Sequence, residues 1–294
     1  LVGSEMCIRD RMSEAFCNSA FLALSGGFQD AYTYNTRDQV FANAQTGNVV
    51  LMSQHFMSGE WIVGLRYFLP LIAFAIGVLL AEQVQCHFKY AKKLHWRQGI
   101  LLTEIFILFA VGFIPNDFNM AATILVSLAC AMQVQTFRKV DGYSYASTMC
   151  IGNLRSGTAA ISVYMRERKP EQLRQALYYF GIIIIFAVGA GIGGVLSLRF
   201  GVRTIWISCA ILFVSFSMMF WEKNLAKEII ARLKTEYPDS DCTLDYDEAW
   251  KLLVSVRLAA QCTDARVNVV VQDLYAKFPD VNALAEAPVE EIEK

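Results

Sequence analysis

The chain has 294 residues, of which 55% are hydrophobic and only 18% are charged. A soluble globular domain carries about 25% charged residues, so this composition excludes an ordinary soluble protein, and it also excludes a disordered or collagen-like chain. Residues 222–294 contain 15 acidic and 9 basic side chains, a net of −6, whereas residues 1–221 contain 12 acidic and 17 basic, a net of +5. We therefore predict a basic membrane part followed by an acidic soluble part.

The first eleven residues, LVGSEMCIRDR, contain neither the apolar segment nor the cleavage site of a signal peptide. They resemble translated adapter sequence, so we expect Met12 to be the natural start. None of the eight cysteines forms a C-x-x-C pair, and the three histidines are scattered. Metal sites and disulfide frameworks need clustered spacing, so we expect buried free thiols and no metal.

Six stretches of residues 12–221 are long and apolar enough to cross a bilayer, which takes roughly 17–25 helical residues. We predict an all-α, polytopic membrane helix bundle. Its predicted spans are Ser13–Tyr34, Tyr67–His87, Gln98–Ile114, Phe118–Phe137, Tyr178–Leu198 and Thr204–Trp221.

Two further segments, Phe41–Leu65 and Tyr145–Met165, are less apolar, and the distribution of basic residues favours their not crossing. If neither crosses, the basic residues near the span ends divide 13 to 4 between the two sides. If both cross, the division is 9 to 7 and Arg155 lies in the bilayer, at roughly 2.5–3.5 kcal/mol. We predict six spans in a bacterial inner membrane, with both termini cytoplasmic.

A short pattern recurs in the two halves of this membrane part. Gly47–Asn48 recurs as Gly152–Asn153, 105 residues later, and Gln29 recurs as Gln133, 104 residues later. Each half then contains one span, one polar Gly-Asn segment and two further spans. Because three spans are an odd number, the second half is inverted relative to the first, as in many secondary transporters.

The Gly-Asn segments allow two interpretations. Irregular backbone at membrane depth needs polar partners, and two re-entrant half-helices whose positive N-termini meet near the midplane would suit an anionic or polar solute. Alternatively, the small residues only allow close helix packing. On the first interpretation, the candidate solute pathway comprises Gln29, Asp30, Thr46, Gly47, Asn48, Glu104, Gln133, Gly152 and Asn153.

Two of these candidates are acidic, and an ionisable residue within a span is a functional hypothesis by default. Asp30 lies at the end of the first span, where it is either a proton or ion partner or a solvent-reached cap. Glu104 lies deeper, in the third span. On one interpretation Glu104 forms a polar stripe with Glu82 and Gln83, and on another these residues line one face of a solvated vestibule. Gln133 and Gln135 complete the candidate pathway.

The motifs Gly26-Gly-Phe-Gln-Asp-Ala-Tyr, Phe41-Ala-Asn-Ala-Gln-Thr-Gly-Asn and Gly152-Asn-Leu resemble the YoaK-like family of bacterial inner-membrane proteins, whose function is not established. The likeness covers about residues 13–221. It implies a polytopic membrane protein and, by analogy, a transporter, but no substrate. The family's Thr-Gly-Asn is present as Thr46–Asn48, whereas Ile151 replaces the threonine of the second copy.

Residues 222–294 show the periodicity of soluble amphipathic helices. The run Leu252–Asn268 resembles the N-terminal region of endonuclease III, a DNA glycosylase/lyase of base-excision repair. In that family Gln261 would enter the DNA stack, and Thr263 and Asp264 match the adjoining motif. The family's catalytic lysine and aspartate and its four iron–sulfur cysteines have no counterpart before Lys294, so we expect no catalysis and no cofactor.

These features leave three hypotheses for function. The first is a permease for a small polar or anionic solute, with the lipid bilayer as the other partner. The second is a membrane scaffold that transports nothing. The third is a DNA-repair enzyme tethered to the membrane, which the net charge of −6 disfavours because nucleic-acid binding needs clustered basic residues. The absence of a flexible linker at Trp221 suggests two genes joined by a frameshift.

Overall fold

The computed structural model describes residues 15–88, 95–140, 142–236, 243–260, 262–288 and 291. The chain forms two compact units, residues 1–226 and 227–294. The described residues are almost entirely helical, which confirms the prediction of an all-α protein. Their strand content is one antiparallel hairpin, β1 (Lys139–Val140) and β2 (Tyr143–Ser144).

Eight helices follow one another from the start of the first unit. They are α1 (Phe16–Thr36), α2 (Gln45–Met57), α3 (Trp61–Phe88), α4 (Trp96–Val111), α5 (Asn119–Thr136), α6 (Cys150–Glu167), α7 (Pro170–Phe200) and α8 (Ile205–Glu236). A 3-10 turn, Asn116–Phe118, precedes α5, and a second, Gly201–Thr204, joins α7 to α8. The hairpin lies between α5 and α6.

Three stretches of the described residues are long and apolar enough to cross a membrane: Trp61–Phe88, Asn116–Thr136 and Pro170–Phe220. The third has 51 residues and includes α7, the 3-10 turn and the first half of α8. Helix α4, with 16 residues, is shorter than each of these three stretches. The membrane character of the chain is therefore confirmed, whereas the number of six spans stays a prediction.

Helices α1 and α7 pack closely and run parallel. Phe16 at the start of α1 stacks on Tyr178, and Asn35 near its end donates a hydrogen bond to the Gly194 carbonyl oxygen at 3.2 Å. Between these points Gly189 lies directly against the backbone of α1, so that a Cβ there would overlap the Leu24 carbonyl oxygen. Glycine is required because the two backbones are in contact.

Helix α8 runs antiparallel to α1, while α3 and α5 run parallel. The hydroxyls of Ser25 and Ser208 lie 2.7 Å apart, and Ser215, further along α8, donates to Asn18, closer to the start of α1. On α3, Gly77 lies against the Leu128 carbonyl oxygen of α5. The bundle interior is thus built from close helix contacts at small residues.

The chain re-enters the bundle between α1 and α2. Asp38 and Gln39 have φ angles of 58° and 59°, a left-handed conformation that non-glycine residues adopt at some expense in energy. The following residues are buried, and the Asn43 N–H donates to Asp30 Oδ1 at 2.7 Å. Helix α2 therefore begins inside the bundle, although Met57 at its other end is 92% exposed.

The second unit contains α9 (Ala249–Ala259), α10 (Asp264–Lys277) and α11 (Val281–Glu286). Its small core consists of Leu244, Val267 and Val271 with a few partly buried neighbours. At its surface the Lys251 ammonium donates to Asp247 at 2.8 Å, and this hydrogen bond lowers the pKa of the Asp247 carboxyl.

One predicted helix boundary is wrong. The sequence predicts that the last span ends at Trp221 and that separate amphipathic helices follow it, but α8 continues without a break from Ile205 to Glu236. The reason is local: residues 221–236 contain no glycine or proline and are rich in alanine, leucine, lysine and glutamate, which favour the helix.

Candidate functional site

Four helices, α1, α4, α5 and α8, bring together six polar side chains that are at most 1% exposed. We call this group the central polar cluster; its members are Ser25, Gln29, Glu104, Cys130, Gln133 and Ser208. Nε2 of Gln29 lies 3.2 Å from Oε1 of Glu104 and 3.1 Å from Oγ of Ser208. The amide therefore connects three of the four helices.

Gln29 has more hydrogen-bond partners than it can satisfy at once. Its Nε2 lies within 3.2 Å of Glu104, Ser208 and Ser25 (the last at 2.9 Å), but an amide NH2 has only two protons. Its Oε1 accepts from the Cys130 thiol at 2.6 Å. The cluster therefore has at least two nearly equivalent hydrogen-bond patterns.

Gln133 approaches the same carboxylate from α5. When its amide nitrogen faces Glu104, it lies 3.0 Å from Oε1 and 3.3 Å from Oε2, and the amide oxygen accepts from the Ser147 hydroxyl at 3.1 Å. In the opposite orientation Nε2 donates to Ser147 at 3.1 Å and to the Leu22 carbonyl oxygen at 3.3 Å. The first orientation gives every polar atom a partner and places amides from two helices on Glu104.

Glu104 is surrounded by neutral groups. Within the part of the chain that the structure describes, no lysine, arginine or histidine forms an ion pair with Glu104 or with Asp30. A buried carboxylate without a cation is unfavourable, because amide dipoles replace only part of the hydration that burial removes. In its ionised form such a group attracts a positively charged group and repels an anion.

Asp30, a residue of α1, is not part of the central polar cluster. Its side chain lies beside the start of α2. Its carboxylate accepts from the Asn43 N–H at 2.7 Å, and the side-chain amide of Asn43 donates to the Gly26 carbonyl oxygen at 3.3 Å. A helix has unpaired N–H groups and a partial positive charge at its N-terminus. Asp30 is only 6% exposed, so a carboxylate from α1 stabilises this N-terminus within the bundle.

Asn48 and Asn153 make the same contacts in the two halves of the chain. Nδ2 of Asn48 donates to the Phe41 carbonyl oxygen at 2.7 Å, and its Oδ1 accepts from the Phe41 N–H at 3.1 Å. Nδ2 of Asn153 donates to the Ala146 carbonyl oxygen at 2.8 Å, and its Oδ1 accepts from the Ala146 N–H at 3.4 Å. Each asparagine thus fixes the loop that precedes its own helix.

Other predicted pathway residues lie apart from the cluster. Thr46 and Gly152 are exposed, on the outer faces of α2 and α6, and Gly47 packs against the Phe41 ring. They are exposed because only one face of each short helix contacts the bundle, and Asn48 and Asn153 occupy that face. The sequence pattern therefore grouped residues that the fold separates.

The remaining polar candidates on α3 and α5 form a separate group. Glu82 accepts a hydrogen bond from Gln135 and lies 3.4 Å from the Arg138 guanidinium. Gln83 is exposed. These partly exposed side chains lie at the end of α5, away from the central polar cluster.

Sequence reasoning missed Ser25, Ser208 and Cys130 as members of the central polar cluster. For Ser208 a signal was present, because it lies 104 residues after Glu104, the spacing that also separates Gln29 from Gln133. The prediction of buried thiols is confirmed for Cys130 and Cys209 but is wrong for Cys17, Cys86 and Cys262, which are exposed. Among the residues that the structure describes, no group of three or more histidine, cysteine, aspartate or glutamate side chains suits a metal ion.

Comparison with known proteins identifies the first unit. Residues 19–218, more than half of the chain, match the family model DUF1275, described as a protein of unknown function. The chain belongs to the DUF1275 family. It is 26% identical over 206 residues to the UPF0700 transmembrane protein YoaK of Bacillus subtilis, across 66% of this chain and 89% of YoaK. The predicted YoaK-like resemblance is therefore confirmed, and no solved structure matches this DUF1275 chain.

A second similarity covers a different part of this DUF1275 chain. Over 73 residues, 25% of the chain, it is 48% identical to endonuclease III of Synechocystis, and over 58 residues it is 36% identical to endonuclease III of Bacillus subtilis. These matches span 33% and 26% of the two endonucleases, so the chain covers about a third or less of either enzyme.

The residues singled out for DNA contact lie in this second unit. Gln261 lies outside the described residues. Thr263 is exposed and precedes α10, and Asp264, the first residue of α10, accepts a hydrogen bond from the Thr243 hydroxyl. In this unit Asp264 therefore connects the preceding loop to the N-terminus of a helix.

Proposed function

We propose that the membrane unit is a permease for a small polar solute that is neutral or positively charged, and that the solute binds at the central polar cluster. The observation that carries this proposal is the position of Glu104, fully buried at the junction of four helices and hydrogen-bonded by the amides of Gln29 and Gln133. Ionisable groups within membrane helices are costly, and they commonly mark solute or ion pathways. The endonuclease III-like unit has no part in this proposal.

The directions of the helices agree with six crossings, and they would be the same with eight. If α1, α3, α4, α5, α7 and α8 cross in turn, α1 runs parallel to α7 and antiparallel to α8, as their contacts require. The same order makes α3 parallel to α5. Helices α2 and α6 would then each enter the membrane and leave it again on the same side. The buried loop before α2 and the exposed end of α2 fit this arrangement.

Three pairs of contacts support an inverted repeat with two re-entrant segments. Asn48 and Asn153 fix their loops identically, and Gln29 and Gln133 are both oriented toward Glu104. Glu104 itself corresponds to Ser208 at the same spacing. In many transporters the solute binds where two such halves meet near the bilayer midplane.

The charge of the site narrows the solute class. From the sequence an anionic solute is one possibility, because the positive N-termini of two half-helices would meet at the midplane. At α2, however, the Asp30 carboxylate already occupies the N-terminus, and Glu104 adds a second acid nearby. The Asp30 carboxylate already offsets the partial positive charge of that N-terminus, and Glu104 in its ionised form repels an anion, so a cation or a neutral hydrogen-bonding solute fits better.

Flux into proteoliposomes tests this function. Radiolabelled guanidinium, erythritol and methanesulfonate serve as the cationic, neutral and anionic probes, with the full chain, the Glu104→Gln and Gln29→Leu variants, and Ser217→Ala as an exposed control on the same helix as Ser208. We expect guanidinium or erythritol to enter faster than into empty liposomes. Glu104→Gln is expected to reduce that rate at least about tenfold, because each 1.4 kcal/mol of binding is a factor of ten.

The other outcomes are equally informative. Faster entry of methanesulfonate than of the other two probes contradicts the charge preference. Unchanged rates in both cluster variants remove the cluster from the pathway. No entry of any probe above that into empty liposomes favours the scaffold, in which the polar residues serve only to pack helices.

A further inference from the structure

Two buried oxygen atoms near Asp30 have no hydrogen-bond partner among the described residues. They are Oδ1 of Asn43 and Oγ1 of Thr148, in residues that are 4% and 6% exposed. Most buried polar atoms in proteins are paired, and an unpaired one costs about 1–3 kcal/mol. Two such atoms in one region indicate that something outside the polypeptide binds there.

Both residues contact the same point on α1. The Asn43 side-chain amide donates to the Gly26 carbonyl oxygen at 3.3 Å, and Cγ2 of Thr148 lies 2.5 Å from the position that a Cβ of Gly26 would take. Asp30 lies one helical turn further along the same face of α1 and accepts from the Asn43 N–H at 2.7 Å. Asp30, Asn43 and Thr148 therefore lie along one face of α1, where the Asn43 amide nitrogen and the Thr148 methyl group contact Gly26.

The two unpaired atoms occupy matching positions in the chain. Asn43 and Thr148 are 105 residues apart, the separation that also relates Asn48 to Asn153. Each comes shortly before a short helix, α2 or α6, so the loops from both halves meet at Gly26. A ligand at this point would contact both halves of the membrane unit at once.

The three side chains offer one carboxylate, one amide oxygen and one hydroxyl. The backbone N–H groups of Ala42, Asn43 and Ala44 face the Asp30 carboxylate, which leaves about one of its roughly four lone-pair sites for a further ligand. Hard cations prefer oxygen ligands of this kind. A single carboxylate provides one formal negative charge, which balances a monovalent ion but not a divalent one.

We propose that Asp30, Asn43 and Thr148 form a binding site for a monovalent alkali cation, with Na⁺ as the first candidate. Asp30 supplies the charge, and the oxygens of Asn43 and Thr148 replace part of the hydration shell. The site is distinct from the central polar cluster but adjacent to it, since Gln29 and Asp30 are neighbours in sequence. Cation binding is independent of transport, whereas a coupling role for this cation rests on the proposed function.

Thermal unfolding of the full chain in detergent tests the site without any transport assay. A ligand that binds only the folded state raises Tm in proportion to the logarithm of its concentration once it exceeds Kd. We expect NaCl to raise Tm progressively, by about 3 °C or more relative to choline chloride at equal ionic strength. KCl and LiCl then report selectivity by ion size.

Three substitutions and one control locate the site. Thr148→Val removes Oγ1 at nearly constant volume and is expected to abolish the Na⁺-dependent rise, while Thr148→Ser is expected to retain it. Asp30→Asn removes the charge and is also expected to abolish it. Thr136→Val is the matched control, because Thr136 is equally buried but its hydroxyl donates to the Met132 carbonyl oxygen within α5.

Each result supports or contradicts the site. A wild-type Tm that is the same in NaCl, KCl, LiCl and choline chloride overturns it. So does a Na⁺-dependent rise that persists in Thr148→Val and Asp30→Asn. The site is also contradicted if Asp30→Asn lowers Tm by the same amount in NaCl and in choline chloride and if Thr148→Val keeps the Na⁺-dependent rise. Asp30 then only stabilises α2. Na⁺ binding without solute flux leaves the site intact and contradicts the proposed function alone.

Discussion

Nε2 of Gln29 lies 3.2 Å from Oε1 of Glu104, although the residues are 75 positions apart in sequence and neither has any exposed surface. The amide gives the carboxylate a hydrogen-bond donor without neutralising its charge. Because Gln29 also has hydroxyl partners, it can exchange Glu104 for Ser25 or Ser208 when a ligand arrives. On the proposed function, this exchange is what lets the cluster accept a ligand, which a closed ion pair would not do.

Replacing Glu104 tests how far the cluster depends on that carboxylate. Glu104→Ala removes an acceptor from Gln29 and leaves a cavity, so we expect the free energy of unfolding to fall by about 2–4 kcal/mol. Glu104→Gln keeps the volume and one acceptor oxygen and is expected to cost less. Denaturation in detergent measures both, and a Glu104→Ala variant as stable as the wild type would contradict the hydrogen bonds described above.

Asn48 and Asn153 are expected to respond to substitution alike. Each makes two hydrogen bonds to one backbone residue, so Asn48→Ala and Asn153→Ala should each destabilise the protein by about 1–3 kcal/mol. Asn116→Ala is the control, since Asn116 is exposed and its side chain makes no hydrogen bond among the described residues. Unequal losses, with one variant near the wild type, would show that only one loop depends on its asparagine.

Gly189 and Gly191 on α7 provide a matched pair for the contact between α1 and α7. A Cβ at Gly189 would overlap the Leu24 carbonyl oxygen, whereas a Cβ at Gly191 would meet nothing within 4 Å. We expect Gly189→Ala to lower Tm strongly or to prevent folding. Gly191→Ala is expected to be neutral or stabilising by up to about 1 kcal/mol, because alanine favours the helix. The two Tm values, measured side by side, check this; equal values would mean that α1 and α7 are not in close contact.

The sequence predicted helices, membrane character and family well, because apolar stretches of bilayer length and the motif around Gly26 are local signals. It also selected Gln29, Glu104 and Gln133, which the fold brings together. It could not separate Thr46 from Asn48, since a dipeptide pattern does not show which face of a short helix contacts the bundle. Asn43 and Thr148 were missed because their feature, an unpaired buried oxygen, exists only in three dimensions.

The number of crossings can be decided by labelling single cysteines in cells with a membrane-impermeant maleimide. The four positions are Ser58, Asp117, Lys139 and Glu171, all exposed, in a variant whose native cysteines are replaced by serine. With six crossings, Ser58→Cys and Asp117→Cys lie on one side and Lys139→Cys and Glu171→Cys on the other. If α2 and α6 also cross, Glu171→Cys joins Ser58→Cys and Asp117→Cys, leaving Lys139→Cys alone.

We expect the six-crossing result, because the loop before α2 contains the buried Asn43 and α2 ends at the exposed Met57, while α6 starts shortly after the buried Thr148. An excess of basic residues favours the cytoplasm, so Ser58→Cys and Asp117→Cys should label in intact cells. Lys139→Cys and Glu171→Cys should label only after permeabilisation. Labelling of Glu171→Cys in the same state as Ser58→Cys would mean that α6 crosses the bilayer, and the meeting of two re-entrant loops at Gly26 would then have to be abandoned.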